Sequence, residues 1–317
     1  MKSFAFVFPG QGSQAVGMLD AWGDHPAVAS TLREASDALD EDVARLIHDG
    51  PKEALALTTN TQPVMLVAGI AAWRAWLAEG GAKPALVAGH SLGEYSALVA
   101  SGVLTLAQAA PLVRFRAQAM QQAVPVGAGA MAAVLGMDAE KVKAGCAEVT
   151  AGFGPGSGEV VEAVNFNDPM QTVIAGSKAA VDKACEVLKA QGAKRALPLA
   201  VSAPFHSSLM RPAAQALRER LASVTFAAPQ IPVLNNVDVA VETDADRIRD
   251  ALVRQAAGPV RWVESVLALK ARGVEAIVEC GPGKVLAGMA KRIAPELLTG
   301  SVYDPATRAE TQQLLGA

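Results

Sequence analysis

The sequence predicts an α/β fold in which a hydrolase-like core with a parallel sheet carries an inserted ferredoxin-like subdomain. Two short apolar runs, FAFVF at 4–8 and ALVA at 85–88, each end at a glycine-containing turn, as buried parallel strands do. Helical periodicity follows each run, and this alternation is typical of α/β proteins. The region 126–201 has the order β-α-β-β-α-β, which predicts a ferredoxin-like subdomain. The expected organisation is a large core, 1–125 and 202–317, with a small subdomain at 126–201.

The remaining elements follow from periodicity and from turn residues. In the core, we expect a helix over 59–78 with Pro63 in its first turn, and a second helix over 92–100. After residue 202 the expected elements are helices at 211–224, 248–255 and 261–272 and strands at 233–236 and 276–279. In the subdomain they are strands at 130–135, 160–165, 171–175 and 194–199 and helices at 138–149 and 178–190.

Composition restricts the class of protein and of partner. The chain has 317 residues, of which 51% are hydrophobic and 19% charged, so it can bury a substantial core. Its net charge is −3 and it has no basic tract, which argues against nucleic acid as a partner. The three cysteines Cys146, Cys185 and Cys280 lack metal-ligand spacing and indicate a reducing compartment. We therefore expect neither a metal nor a disulfide framework.

Two segments bear on membrane association. The N-terminal MKSFAFVFPGQG lacks the apolar core and small-residue cleavage site of a signal peptide. The stretch 95–113 carries no charge, yet it contains polar residues and a Ser101-Gly102 turn. Two buried helices fit it better than a spanning helix does. The expectation is a cytoplasmic protein with no membrane partner.

The motif AGHSLGEY at 88–95 predicts a nucleophilic serine. It contains G-x-S-x-G directly between a strand and a helix, the context in which a sharp turn exposes Ser91. Gly89 and Gly93 allow the strand and the helix to approach closely, and the helix N-terminus favours a developing oxyanion. An ordinary structural serine in a strand–turn–helix connection is the alternative.

A serine nucleophile needs a base, and the chain has four histidines. His25 and His48 lie in charged helical surroundings, and His90 directly precedes Ser91. His206, in the loop APFHSS, is the best candidate by elimination, with a structural loop histidine as the alternative. No carboxylate stands at an obvious position to orient this base, and a lipase-type HGGG motif is absent, which weakens a hydrolase interpretation.

Two further motifs indicate an anion site and an oxyanion hole. The segment LVRFR follows a nearly uncharged region, so a buried Arg116 would need an anion, which its fork could bind bidentately. An exposed pair of Arg114 and Arg116 is the alternative. PGQGSQ at 9–14 follows a strand without phosphate-loop residues, and its glycines could bring a backbone N–H and Gln11 to a shared site.

These motifs occur together in the order PGQGSQ, GHSLGEY, Arg116, APFHSS and finally ECGPGKVL at 279–286. In this combination the chain resembles the malonyl-CoA:acyl carrier protein transacylases of type II fatty acid synthesis, over essentially its whole length. The resemblance implies that Ser91 is the acylated nucleophile and His206 the general base and acid. It also implies that the backbone carbonyl of Gln255, not a carboxylate, holds the histidine.

The resemblance implies the remaining site residues as well. The backbone N–H groups of Gln11 and Leu92 match the oxyanion hole, and Arg116 matches the residue that pairs with the malonyl carboxylate. Asn167 matches an active-site asparagine. Phe205 before the histidine and Leu92 after the serine resemble acyltransferases that select malonyl over methylmalonyl.

The implied reaction is a ping-pong malonyl transfer from malonyl-CoA to the phosphopantetheine thiol of acyl carrier protein, with no cofactor and no metal. The expected partners are malonyl-CoA and acyl carrier protein, and a monomer is compatible with the sequence. Two alternatives stay open: an acyltransferase that supplies extender units to a polyketide pathway, and a serine thioesterase or hydrolase.

Overall fold

A computed structural model describes residues 1–316, which fold into two units with separate sheets. The large unit comprises Met1–Ala117, Ser223–Ile248 and Glu264–Ala317, and the small unit comprises Gln118–Ala222 and Arg249–Val263. The boundary of an inserted subdomain at 126–201 stays a prediction about chain organisation.

The secondary structure follows the expected alternation closely. The strands are β1 (Phe4–Phe8), β2 (Leu86–Gly89), β3 (Gly129–Leu135), β4 (Val161–Asp168), β5 (Gln171–Ser177), β6 (Arg195–Pro198), β7 (Val233–Leu234), β8 (Ala276–Cys280) and β9 (Leu298–Val302). The helices are α1 (Pro26–Leu39), α2 (Val43–Asp49), α3 (Lys52–Ala56), α4 (Thr58–Ala78), α5 (Gly93–Ala100), α6 (Leu106–Gln122), α7 (Ala139–Phe153), α8 (Lys178–Ala190), α9 (Arg211–Ala222), α10 (Ala245–Ala256), α11 (Trp262–Ala271), α12 (Val285–Ile293) and α13 (Pro305–Leu315). Short 3₁₀ helices lie at Asp20–Trp22 and Ser208–Met210.

The sheet of the large unit has the strand order β7-β2-β1-β8-β9, and all of its pairings are parallel. Every residue of β1, β2 and β8 is buried. Parallel sheets bury both faces, which is why these strands are continuous apolar runs instead of alternating patterns. The predicted parallel core is confirmed, and the carboxyl end of β2 delivers the chain to Ser91.

The helix α4 packs its aromatic side chains against β1. The ring of Phe6 lies 5.6 Å from that of Trp73 and 5.4 Å from that of Trp76, both edge-on. Pro63 lies inside this helix, because the helix begins at Thr58, so its expected place in the first turn is wrong. Proline there removes one i→i−4 hydrogen bond, a cost that burial of this long apolar helix offsets.

The small unit contains an antiparallel sheet with the order β4-β5-β3-β6. The helices α7 and α8 cover one face, where Val134, Ile174 and Leu188 belong to one buried cluster. The chain order β3-α7-β4-β5-α8-β6 is the predicted β-α-β-β-α-β arrangement, so the ferredoxin-like fold is confirmed.

The uncharged stretch 95–113 forms the end of one helix and the start of another. The helix α5 ends at Ala100, and α6 begins at Leu106 after a turn in which the Ser101 hydroxyl donates to the Leu98 carbonyl at 2.9 Å. The interruption that the sequence predicts at Ser101-Gly102 is confirmed. Within residues 1–316, no helix combines the length and the apolar character that a membrane crossing requires.

Candidate active site

Ser91 lies on a sharp turn between β2 and α5. Its φ angle is 53°, in the left-handed region that side chains other than glycine seldom adopt. A Cβ atom on Gly89 would lie 1.9 Å from the carbonyl carbon of Gly93, and one on Gly93 would lie 2.0 Å from the carbonyl oxygen of Phe8. Neither contact is sterically possible, so both positions require glycine. The strand–turn–helix geometry expected of G-x-S-x-G is therefore present.

Asn236, two residues after the neighbouring strand β7, holds this turn, and no motif in the sequence marks it. Its Oδ1 accepts the N–H of Ser91 at 2.7 Å, and its Nδ2 donates to the carbonyl of Gly89 at 2.6 Å. The N–H of Asn236 donates to Glu94 Oε2 at 2.9 Å. The Asn235-Asn236 pair directly after β7 could have indicated this role. That inference would have required knowing that β7 pairs with β2.

Arg116 is buried beside the nucleophile, with only 1% of its surface exposed. Its Nη1 donates to Gln62 Oε1 at 2.6 Å and its Nη2 donates to Ser91 Oγ at 3.2 Å. Burial lowers the pKa of the guanidinium, while Tyr95 and Glu94 oppose this shift. The guanidinium carbon also lies 5.5 Å from the centre of the Tyr95 ring. A cation at this place is suited to bind an anionic group of a substrate.

The two arginines of LVRFR have different environments, which decides between the alternatives that the sequence left open. Arg114 pairs with Glu41 through both of its terminal nitrogens. Arg116 is on the inner face of α6, where its partner Gln62 comes from α4. The interpretation of an exposed pair is therefore wrong for Arg116.

The loop after β1 lies against the serine turn. A Cβ atom on Gly10 would lie 2.7 Å from the carbonyl oxygen of His90, so the loop backbone can approach this closely only with glycine. The side chain of Gln11 accepts the hydroxyl hydrogen of Thr58 at 2.7 Å. Leu92 lies immediately before α5 with helical torsion angles. The two backbone groups predicted for an oxyanion hole therefore belong to adjacent segments.

The motif ECGPGKVL supports the loop after β1 from the other side. A Cβ on Gly281 would lie 3.3 Å from Pro9 Cδ, and one on Gly283 would lie 3.1 Å from Ser13 Oγ. Both glycines have positive φ angles, 122° and 94°. The motif therefore packs against the segment that carries Gln11. This contact explains why the motif occurs together with the others.

Glu279 begins that motif and is fully buried at the end of β8. Its Oε2 accepts the N–H of Ala287 at 3.0 Å at the start of α12. Burial raises the pKa of this carboxyl from its ordinary value of 4.5 to about 7, and hydrogen bonds from the N–H groups of Ala287, Leu286 and Val285 oppose the shift.

We expect Glu279→Gln to remove a pH-dependent part of the stability. A carboxyl whose pKa is higher in the folded state than in the unfolded state stabilises the fold at low pH, and this contribution is lost between pH 4.5 and about 7. The wild-type free energy of unfolding, minus that of the variant, should fall by about 3 kcal/mol over this range. Urea titrations of both proteins measure it, and a difference independent of pH would contradict the assignment.

His206 lies in the small unit, buried to 4% exposure and with a φ angle of 66°. Its Nδ1 lies 2.9 Å from the carbonyl oxygen of Gln255 and 3.2 Å from that of Gly258. Because carbonyl oxygens only accept, Nδ1 carries the proton and the lone pair is on Nε2. The two carbonyls fix this tautomer without a carboxylate. This explains why the sequence shows no acidic residue at a position to orient the histidine.

The other two predicted residues of the small unit flank the same region. Phe205 directly precedes His206 and is 8% exposed, and Asn167 lies on β4 with 6% exposure. The N–H of Phe166 donates to the Val260 carbonyl at 3.0 Å. The strand that carries Asn167 is therefore bonded to the segment that also carries Gln255.

Within the described residues 1–316, no group of three or more His, Cys, Asp or Glu side chains is arranged to hold a metal ion. The three cysteines, Cys146, Cys185 and Cys280, are buried thiols.

Comparison with known proteins places the chain in a family. The acyl transferase domain model matches residues 5–310. The malonyl CoA-acyl carrier protein transacylase of Escherichia coli strain K12 is 52% identical over 315 residues, 99% of this chain and 100% of that protein. The acyl-carrier-protein S-malonyltransferase structure from Burkholderia pseudomallei 1710b has a TM-score of 0.95 at 62% identity, covering 99% of this chain and 100% of that one.

A malonyl-transacylase solved in complex with its type II PKS acyl-carrier protein has a TM-score of 0.95 at 49% identity, again covering 99% of this chain and 100% of the other. These similarities extend over both units of the fold and all five motifs. The chain belongs to the acyl transferase domain family and, within it, to the malonyl CoA-acyl carrier protein transacylases.

Proposed function

We propose that this chain transfers the malonyl group from malonyl-CoA to the phosphopantetheine thiol of acyl carrier protein, through a malonyl ester of Ser91. The observation that carries the proposal is the Arg116 guanidinium, 1% exposed and with its Nη2 3.2 Å from Ser91 Oγ. The relatives named malonyl CoA-acyl carrier protein transacylase support the same reaction.

The buried guanidinium selects the acyl group. Its terminal nitrogens donate to the neutral groups of Gln62 and Ser91, and a substrate carboxylate beside Ser91 would add an anion in direct contact with the cation. Malonyl-CoA supplies that carboxylate at the far end of its acyl chain, whereas acetyl-CoA leaves the cation without it. A site built to bind a charged group rejects an analogue that lacks the group.

In the first half-reaction, His206 Nε2 accepts the proton of the Ser91 hydroxyl as Oγ attacks the thioester carbonyl. The N–H groups of Gln11 and Leu92 stabilise the oxyanion of the tetrahedral intermediate. The carbon–sulfur bond then breaks, and the departing CoA thiolate takes the proton from His206. The products are free CoA and malonyl-Ser91, with His206 neutral again.

In the second half-reaction the phosphopantetheine thiol of the carrier protein gives its proton to His206 and attacks the ester carbonyl. Collapse of the second tetrahedral intermediate breaks the bond to Ser91 Oγ, which regains its proton from His206. The carbonyls of Gln255 and Gly258 keep Nδ1 protonated throughout, so Nε2 is available for each transfer. Malonyl-acyl carrier protein leaves, and the enzyme is regenerated.

The size limit of the acyl group is assigned to Phe205, whose bulk disfavours an α-methyl branch, and Leu92 after the serine resembles the malonyl-selective type as well. Asn167 is assigned to the substrate site as well. The reaction uses no cofactor, because the thioester is already activated towards acyl transfer. Its place is the cytoplasm, in keeping with three cysteines that are all buried thiols.

A second candidate is the same transfer to a carrier protein of a polyketide pathway. The structural relative in complex with a type II PKS acyl-carrier protein favours it, at 49% identity over nearly the full chain. The two candidates share every step at Ser91 and differ only in the carrier. Competition between a fatty acid carrier and a polyketide carrier, with transfer rates measured for each, distinguishes them.

Incubation of the purified protein with malonyl-CoA alone tests the proposal. We expect intact mass spectrometry to show one added malonyl group and peptide mapping to place it on Ser91. Addition of phosphopantetheinylated carrier protein should discharge the enzyme and add the same group to the carrier. An adduct of this kind requires a covalent intermediate, so it separates the ping-pong route from direct transfer.

Two serine variants complete that experiment. Ser91→Ala should form no adduct, whereas Ser101→Ala, a change at a buried serine bonded to the Leu98 carbonyl, should form it normally. An adduct that persists in Ser91→Ala would refute the mechanism. Release of malonate to water as fast as transfer to the carrier would favour a hydrolase instead.

A further inference from the structure

Asn236 joins the two sides of the turn that carries the nucleophile. Its Oδ1 accepts the N–H of Ser91 at 2.7 Å, and its Nδ2 donates to the carbonyl of Gly89 at 2.6 Å. A carboxamide presents a carbonyl acceptor and N–H donors, as a peptide unit does. The side chain therefore bonds to the turn as the backbone of a neighbouring strand would, at the point where β2 has ended.

The register of the sheet explains why Asn236 reaches this turn. β7 pairs in parallel with β2, with Leu234 opposite Ala88. Asn236 follows Leu234 by two residues and so lies beside the residues after Gly89. It is fully buried, so removing its side chain leaves a backbone donor and a backbone acceptor without these partners. A buried polar group that loses its partner is destabilising, because it cannot bond to water instead.

Ser91 needs this support because its backbone is strained. A non-glycine residue in a sparsely populated backbone region is strained and persists only when its surroundings impose that conformation. The φ angle of 53° at Ser91 is such a case. The bond from its own N–H to Asn236 acts directly on the strained torsion.

Glu94 fixes Asn236 from the helix side. The backbone N–H of Asn236 donates to Glu94 Oε2 at 2.9 Å, and Glu94 lies in the first turn of α5 with 2% exposure. The end of β2, the turn and the start of α5 are thus connected through one residue that follows β7. A change in the position of Asn236 would shift Ser91 relative to both elements.

The same contacts decide which N–H of the turn can face an oxyanion. The N–H groups of Gly93 and Glu94 donate to backbone carbonyls of the turn at 2.9 and 3.1 Å. The N–H of Ser91 donates to Asn236. The N–H of Leu92 is the donor that these bonds leave for a substrate, as expected at a helix N-terminus.

We propose that Asn236 is a positioning residue for malonyl transfer, which holds Ser91 in its strained conformation and, by occupying the Ser91 N–H, assigns the oxyanion to the N–H of Leu92. The inference rests on the proposed function, since it gives Asn236 a part in the acylation of Ser91. It acts on kcat rather than on KM, because the bonds of Asn236 go to the serine turn and to Glu94.

The variant Asn236→Ala should lower kcat for malonyl transfer by about 10–10²-fold, because a displacement of about 1 Å at a reacting group costs about 10²-fold. The KM for malonyl-CoA should stay close to the wild-type value. Single-turnover acylation of Ser91 should show the same loss as kcat. Melting temperatures are recorded for each variant, so that a general loss of stability is seen separately.

Asn235→Ala is the matched control. Asn235 is the preceding residue, is 5% exposed, and accepts the N–H of Asp238 on its Oδ1 at 2.8 Å. Its removal perturbs the same buried segment without removing a bond to the serine turn. We expect the control to lose stability while its kcat stays near the wild-type value.

Asn236→Asp provides a second, pH-dependent test. When protonated, the introduced carboxyl has the shape of the carboxamide and can again accept from Ser91 and donate to Gly89. When ionised, the carboxylate can no longer donate to Gly89 and places a second negative charge near Glu94. Burial and this neighbouring charge both favour the protonated form of the introduced carboxyl. The ratio of variant to wild-type kcat should therefore rise about tenfold between about pH 8 and about pH 5.5.

Equal kcat values for Asn236→Ala and Asn235→Ala would overturn the positioning role, as would a ratio for Asn236→Asp that does not change with pH. Failure of the proposed function looks different, because the wild-type protein itself would then form no malonyl ester at Ser91. A lower kcat with unchanged KM in Asn236→Ala, together with the pH-dependent recovery of Asn236→Asp, supports the inference.

Discussion

Replacing His206 by alanine should lower the rates of both half-reactions by about 10²–10⁴-fold, the usual contribution of a positioned general base. In the proposed mechanism one nitrogen, Nε2, accepts the proton of Ser91 and later that of the carrier thiol. The orientation of this nitrogen is fixed by the contacts of Nδ1 with Gln255 and Gly258 at 2.9 and 3.2 Å. Rapid-quench acylation with malonyl-CoA and discharge of isolated malonyl-enzyme by carrier protein measure the two steps separately.

His48→Ala is the control for that experiment. His48 has a side chain that is 66% exposed and pairs with Asp20 at 2.6 Å in the large unit. Its removal should leave both rates within the experimental error of the wild type. A loss in His206→Ala that affects only one half-reaction would contradict a shared base, and would require a different proton acceptor for the other step.

The variant Arg116→Ala should lower kcat/KM for malonyl-CoA by about 10²–10³-fold, because truncating one partner of a buried charge pair costs about 2–5 kcal/mol. Acetyl-CoA, which has no terminal carboxylate, should be affected far less, so preference for malonyl over acetyl should largely disappear. Arg116→Lys should recover little, because an ammonium cannot reproduce the two-pronged contact to Gln62 and a carboxylate. Competition between the two CoA thioesters measures the preference directly.

Arg114→Ala separates the effect of position from that of charge. It removes the same side chain two residues earlier, where the partner is Glu41 and not the serine. The control should keep the wild-type preference for malonyl-CoA. Equal losses of malonyl and acetyl transfer in Arg116→Ala would show that Arg116 serves the packing of α6 and not the recognition of a carboxylate.

Local patterns in the sequence identified the parts of the site that depend on neighbouring residues. The elbow around Ser91 is one example, because its two glycines and the serine lie within five positions and the steric need for them is local. The apolar runs of β1 and β2 are another, since full burial of a parallel strand leaves a continuous signal. The ferredoxin-like order was predictable because each of its strands and helices has its own local pattern in the sequence.

Partners that come from distant parts of the chain were not predictable. Gln62, which holds Arg116, is 54 positions away from it, on another helix. Asn236 is 145 positions from Ser91, and its role depends on the pairing of β7 with β2. No periodicity marks such residues, because each contact is set by packing between elements. Roles for Gln255 and Asn167 came from resemblance to a family and not from the local sequence.

The two glycines of the elbow have a consequence for mutational studies. A scan that substitutes every position and selects for activity would score Gly89 and Gly93 as intolerant as Ser91, since any side chain at either site would collide with backbone atoms about 2 Å away. Such a scan would group together residues that perform the reaction and residues that only permit the chain to turn. Distinguishing them requires separate measurements of folding and of activity. A Ser91 variant should fold but be inactive, whereas a variant of either glycine should not fold.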